Sequence, residues 1–257
     1  MDIDAPLPAP LRAPPPQEVI AAIAARHLRA SRGVMSVVNG LGTRIEDQIK
    51  SLPEPVQNRI EAVTESALTR AYGVARLGGG AMPRLSGRGH VALASISGAA
   101  GGLGGLPTAL AELPLTVTLI LHAIQDVAES YGFDPEAEPT RRETLRVFGA
   151  GSPLATDDGV NSAFIGARLT FTGPALQRMI AAIAPRLATA LGQKLAAQAV
   201  PVLGAVAGAG LNAAYMNYYR EMAHVRFGLL RLALDHDPAE VQAAFVDAVA
   251  PARINRA

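Results

Sequence analysis

Three residues in the middle of the chain, Glu112, His122 and Asp126, combine carboxylate and imidazole groups at helical spacing. On a helix they share one side, and His122 and Asp126 are direct i,i+4 neighbours. A stripe of this kind can bind a metal ion or shuttle protons. A polar helix face that meets water or a basic neighbour has the same pattern, however. Glu112 and Asp126 also lie about 21 Å apart along the helix axis at 1.5 Å per residue, so one ion cannot touch both. No metal and no cofactor is therefore expected. Asp157 and Asp158 open a further helical stretch, where acids ordinarily stabilise the positive helix end by a few tenths of a kcal/mol to about 1. A metal role for that pair would need oxygen ligands converging from elsewhere. The run Gly208-Ala209-Gly210-Leu211-Asn212-Ala213 has the glycine pattern of a dinucleotide loop but follows no strand, so it is read as helix packing. HExxH, a phosphate-loop Gly-Lys-Ser/Thr and Gly-x-Ser-x-Gly are all missing. The five histidines are dispersed at 27, 90, 122, 224 and 236. His224 groups with Asn217, Arg220 and Arg231 on the solvated side of a late helix. No catalytic residue is assigned, and the case for an enzyme is thin.

Composition narrows the field. The 257 residues suit one large domain or two small ones and can build a substantial core. With 23 Lys+Arg against 22 Asp+Glu the net charge is +1, which argues against a nucleic-acid binder. Aromatic residues make up only 4%, so stacking platforms for single strands are not expected. The absence of Cys excludes disulfide frameworks, thiolate zinc sites and cysteine nucleophiles. An 18% charged fraction, 25 Gly and a mean hydropathy of +0.22 lean towards contact with lipid or an unusually apolar interior. The acidic start, Met1-Asp2-Ile3-Asp4, lacks the basic and apolar regions of a secretory signal, which points to the cytoplasm.

The elements that must position these groups are helices. Residues 1–16, dense in proline, read as a disordered leader, 17–250 as one all-helical domain of eight to ten helices, and 251–257 as a disordered tail. Ser51-Leu52-Pro53-Glu54 resembles a capping box opening a helix to about residue 74, and Asp237-Pro238-Ala239-Glu240 repeats that logic for a final helix to about 249. Gly132 is placed to cap the helix before it in a left-handed conformation. Breaker-rich loops are expected at 77–89 and 149–159. Two long seams stand out. Leu106, Leu110, Leu113, Val117, Ile120, Ile124, Val127 and Tyr131 recur at spacings of four and three. Gly204, Gly208, Leu211, Tyr215, Tyr218, Met222, Val225, Leu229 and Leu232 keep the same rhythm. The expected fold is an all-α multi-helix bundle with these two apolar, glycine-rich helices packed together at its centre. Gly101 with Gly105, and Gly204 with Gly208, form small-xxx-small pairs that permit close backbone approach. Residues 195–216 carry no charge. Their Ala, Gly and Val content makes insertion into lipid marginal, and Glu112, His122 and Asp126 weigh against a span through the first seam.

Taken in order, these motifs resemble the EcsC protein family. The resemblance rests on Ala111-Glu112-Leu113-Pro114-Leu115-Thr116 leading into Ile120-Leu121-His122-Ala123-Ile124-Gln125-Asp126, on Tyr131-Gly132-Phe133, and on Thr156-Asp157-Asp158. It continues through Val200-Pro201-Val202-Leu203-Gly204-Ala205-Val206, Gly208-Ala209-Gly210-Leu211-Asn212 and Tyr218-Tyr219-Arg220-Glu221-Met222-Ala223, and covers roughly 40–232. The chain departs from the pattern at His122, where relatives often carry Arg, and at His224-Val225-Arg226-Phe227, which lacks the usual Gly-His-Phe order. The resemblance implies a bacterial helical protein and links it to a membrane, because the founding member is encoded beside an ABC exporter. It carries over no catalytic residues.

The resulting expectation is a non-enzymatic accessory protein on the cytoplasmic face of the inner membrane. Its partner would be a membrane surface or a membrane transporter complex, not nucleic acid. The alternative is an enzyme or small-molecule-binding protein that uses the Glu112/His122/Asp126 stripe for an apolar or lipid-like ligand.

Overall fold

The computed structural model describes residues 13–41, 85–103, 106–149 and 203–250, together with the isolated helical positions Pro55, Ala62 and Ser66. The leader up to residue 12, the tail at 251–257, Gly105 and the Asp157-Asp158 pair lie outside the described residues, as does almost all of the helix expected at 51–74. Among the described residues six α-helices and no strand are present: α1 (Gln17–Leu41), α2 (Gly87–Leu103), α3 (Leu106–Ser130), α4 (Glu138–Gly149), α5 (Leu203–Asp235) and α6 (Pro238–Val249). The class is all-α.

Helix α5 organises the rest. Its 33 residues contain no proline and extend about 50 Å at 1.5 Å per residue. The seam residues Leu211, Tyr215, Tyr218, Met222, Val225 and Leu229 are buried, as the spacing predicts. Met216, Tyr219, Ala223 and Phe227 on the adjoining face are buried as well. A helix apolar on more than one face has neighbours on more than one face, and α5 packs against all five other helices. With α1 and α6 it closes a core of Ile20, Ile23, Val225, Leu229, Val241 and Phe245. Arg26 of α1 reaches both carboxylate oxygens of Glu221, at 3.2 and 3.0 Å. Arg226, 5% exposed, is neutralised by Glu143 of α4 at 2.7 Å.

Two boundaries follow directly from local sequence. Asp237 caps α6 by accepting from Ala239 N–H and Glu240 N–H, with Pro238 in the first turn. At the end of α3, Gly132 adopts φ +81°, the Gly132 N–H donates to Glu129 O and the Phe133 N–H donates to Ala128 O. This paired closure satisfies the last carbonyls of the helix and needs a residue that tolerates the left-handed region.

The glycine packing differs from the sequence expectation. Helix α5 approaches α2 more intimately than it approaches α3. Gly98 of α2 faces Gly208 so closely that a Cβ at residue 98 would lie 2.2 Å from the Gly208 carbonyl oxygen. A Cβ at Gly101 would sit 3.2 Å from the Glu112 side chain. The reason is compositional. The inner face of α2 is built from His90, Ala94, Ser97, Gly98 and Gly101, all buried, and has no stripe of large apolar residues to reveal it as a helix. The small-residue helix therefore packs against Gly208 and Asn212 of α5 and against Glu112 of α3. Gly204 is helical, at the first turn of α5.

Candidate functional site

The polar stripe of α3 divides into two separate clusters, each completed by α2. The first surrounds Glu112, which is 8% exposed. Its Oε1 accepts hydrogen bonds from the hydroxyls of Ser97 and Thr116 and from Asn212 Nδ2 at 2.9 Å. Asn212 Nδ2 also contacts Ala94 O at 2.9 Å and Thr116 Oγ1 at 3.2 Å. Side chains from α2, α3 and α5 thus meet where Gly98 and Gly208 let the backbones close. A buried carboxylate is tolerated there because donors from all three helices supply what water would have given. Sequence alone gave Glu112 a place on a polar face; the structure gives it a sealed interior.

The second cluster lies about ten residues further along α3. His90, 1% exposed, enters from the first turns of α2, and its Nε2 stands 3.2 Å from His122 Nδ1. Asp126 Oδ2 lies 3.4 Å from His90 Nε2 and 3.7 Å from His122 Nδ1. The opposite His90 nitrogen, Nδ1, faces the Ser86 carbonyl at 3.2 Å. A carbonyl only accepts, so Nδ1 carries the proton in the neutral ring and Nε2 presents a lone pair to the other two groups. Burial lowers the His90 pKa from the ordinary 6.5. The Asp126 carboxylate opposes that shift, and the His122 and Arg220 charges reinforce it. The neutral ring therefore has the tautomer of a metal-ligating histidine whose second nitrogen is fixed by a backbone carbonyl.

One ligand atom from each of His90, His122 and Asp126 lies within 4.8 Å of the others. Tetrahedral ligands at about 2.0–2.2 Å from an ion are about 3.3–3.6 Å apart, which the three separations bracket. His122 and Asp126 are partly open to solvent, so an ion has a route in. The expectation of no metal was drawn from α3 by itself, and His90 escaped it for two reasons. It is 32 residues from its partner, and it follows Gly87-Arg88-Gly89, a stretch that reads as loop. The useful signal was Ser86 three residues before Gly89: Ser86 Oγ accepts from the Gly89 N–H at 3.1 Å and starts the helix.

His224 also departs from its solvated reading. It is partly buried, its Nδ1 lies 3.3 Å from the Tyr131 hydroxyl, and burial, followed by the Arg26 charge, lowers its pKa.

The class defined by this fold and site is an all-α protein whose small-residue helix holds a buried carboxylate at one end and a His–His–Asp cluster at the other. Residues 45–232 match the EcsC protein family, and the chain belongs to it. It is 29% identical over 92 residues to a protein of Bacillus subtilis (strain 168) named "Uncharacterized protein YdbA", an overlap covering 36% of this chain and 31% of that relative. The matched stretch thus spans about a third of the relative's length. No solved structure matches.

Proposed function

We propose that this chain binds a divalent transition-metal ion through His90 Nε2, His122 Nδ1 and an Asp126 carboxylate oxygen. The observation that carries this reading is the triangle of ligand atoms at 3.2, 3.4 and 3.7 Å, assembled from two helices. Two imidazoles and one carboxylate suit zinc, iron or cobalt better than calcium or magnesium, which prefer all-oxygen sets. Three protein ligands leave coordination positions for water or an exchangeable ligand, the pattern of reactive rather than purely structural sites. That favours the small-molecule alternative at the His122–Asp126 end and leaves Glu112 out of it. The test is equilibrium dialysis of metal-free protein against zinc, followed by elemental analysis. One equivalent is expected for the native chain and for Glu112→Gln, and a loss of at least about tenfold in affinity for His122→Ala. Retention of zinc by His122→Ala and Asp126→Asn would overturn the reading.

A second reading, an accessory role on the cytoplasmic membrane face, draws support from a different surface. Leu93, Ile96 and Leu103 on the outer side of α2 are exposed, Ile96 by 65% and Leu103 by 61%. From Gly89 to Leu103 that helix has no Asp, Glu, Lys or Arg. Val206 of α5, 73% exposed, and Leu115 of α3 add to the apolar surface. Among the described residues no helix is long and apolar enough to cross a membrane, so the proposed contact lies along the surface. Flotation with anionic vesicles tests it. Ile96→Glu should abolish co-flotation, and failure of the native chain to float would count against the role.

A further inference from the structure

We propose a phosphate-binding site at the start of α2, distinct from the His–His–Asp cluster, formed by Arg220, Arg88, Asn217 and the first turn of the helix. The argument begins with a charge in an unfavourable place. The N-terminus of a helix carries a partial positive charge, and acids normally gather there. The first turn of α2 has no acid. Instead the Arg220 guanidinium lies against it, with its Nη2, Cζ and Nη1 2.1, 2.5 and 2.7 Å from where a Cβ of Gly87 would stand. Gly87 is thus the gap that admits a cation to the wrong end of a helix. Arg88, an exposed residue of the same turn, lines the same depression.

Among the described residues the nearest acids are engaged elsewhere. Glu221, the next residue along α5, is held by Arg26, and Asp126 faces the histidines. Among the described residues no ion pair engages Arg220 or Arg88. An anion placed beside the Arg220 guanidinium at the helix start would relieve the unfavourable pairing of that cation with the positive helix end.

There is room for one. A depression of about 670 Å³, broadly open to solvent, is lined by Ser86, Gly87, Arg88, Asn217 and Arg220, with Val91 and Ala92 as its apolar wall. That volume falls in the range of small-molecule sites, about 300–1,000 Å³, and greatly exceeds a bare phosphate. The ligand class is therefore a phosphate ester with an organic body against Val91 and Ala92. The Arg220 and Arg88 side chains, the Asn217 amide and the Gly87 and Arg88 N–H groups, those of Gly89 and His90 being taken by Ser86, match the several acceptor oxygens of such a group. The ester can be a soluble metabolite or a lipid headgroup, since the exposed Leu93 and Ile96 continue along the same helix.

The test uses the full chain, free of metal, at low ionic strength, with inorganic phosphate, glycerol 3-phosphate and phosphatidylcholine vesicles with or without phosphatidic acid. Glycerol 3-phosphate is expected to bind more tightly than inorganic phosphate. Arg220→Gln should weaken binding about tenfold, the worth of one charge-assisted contact. Arg88→Gln changes an exposed residue and should weaken binding about threefold while folding normally. Gly87→Ala displaces the Arg220 guanidinium without removing its charge and should weaken binding too. His122→Ala should leave phosphate binding intact, which separates this site from the metal site. Binding of the soluble esters identifies a soluble ligand, and binding confined to phosphatidic acid vesicles identifies a headgroup. No binding to any probe, or binding indifferent to all three substitutions at the site, would overturn the proposal.

Discussion

The two ends of α2 treat charge in opposite ways. At the Gly98 end the Glu112 carboxylate is enclosed, and hydroxyl and amide donors from three helices converge on it. At the His90 end the lone pair of a neutral imidazole faces another imidazole and a carboxylate, with partial access to solvent. Surrounding a charge with its donors gives an interaction whose product is stability. Converging lone pairs invite a cation. Both clusters come from one polar stripe on α3, and the residues of α2 opposite decide which is which.

The largest effect that would sharpen this contrast is at the closed end. Gly98→Ala places a Cβ against the Gly208 carbonyl, which is backbone and cannot swing away. A loss of about 3 kcal/mol is expected, the upper part of the range for overpacking, read as a fall in the thermal midpoint. Next comes Glu112→Ala, which removes the acceptor shared by the Ser97 and Thr116 hydroxyls and the Asn212 amide. It should cost about 2 kcal/mol in chemical denaturation while leaving zinc stoichiometry unchanged. If instead it abolished metal binding, the two clusters would be one site and the comparison would fail.

At the open end the order reverses. His122→Ala should change the stability of the metal-free chain by less than about 1 kcal/mol, because the residue is partly exposed and lies outside the glycine interface. It should erase the rise in thermal midpoint that saturating zinc gives the native protein.

The smallest effect concerns pH. His224 packs among Tyr131 from the end of α3, Arg26 of α1, and Arg220 and Glu221 of its own helix. Its folded pKa lies below the ordinary 6.5, so the unfolded chain takes up the proton first as pH falls. The stability it supports is complete above about pH 6.5 and is lost as pH falls from there towards the folded value. His224→Gln should flatten that part of the stability profile, measured in metal-free protein.

How far the sequence revealed this depended on the size of the side chains involved. The seams of α3 and α5 are made of large residues, and Val117, Ile120, Ile124, Leu211, Met222 and Leu229 are buried as their spacing predicts. Asp237 and Gly132 were equally legible, because a cap and a left-handed turn each depend on one residue's local chemistry. Helix α2 escaped because its buried face is histidine, serine, alanine and glycine, a face that periodicity of large apolar groups cannot detect. With α2 missing, His122 and Asp126 had no third ligand, Glu112 had no donor from Ser97, and Arg220 had no helix end to face. Each cluster needed residues distant in the chain, from 15 residues for Ser97 with Glu112 to 118 for Asn212 with Ala94. Spacing along a single helix carries no information about such pairs.

The most direct measurement of the central claim is a cobalt(II) titration of metal-free protein followed by visible absorption, since the ligand-field bands report both stoichiometry and coordination number. One equivalent should produce bands of a four- or five-coordinate ion, absent in His122→Ala and Asp126→Asn and present in Glu112→Gln. A titration that never saturates, or bands that survive the first two substitutions, would contradict the account.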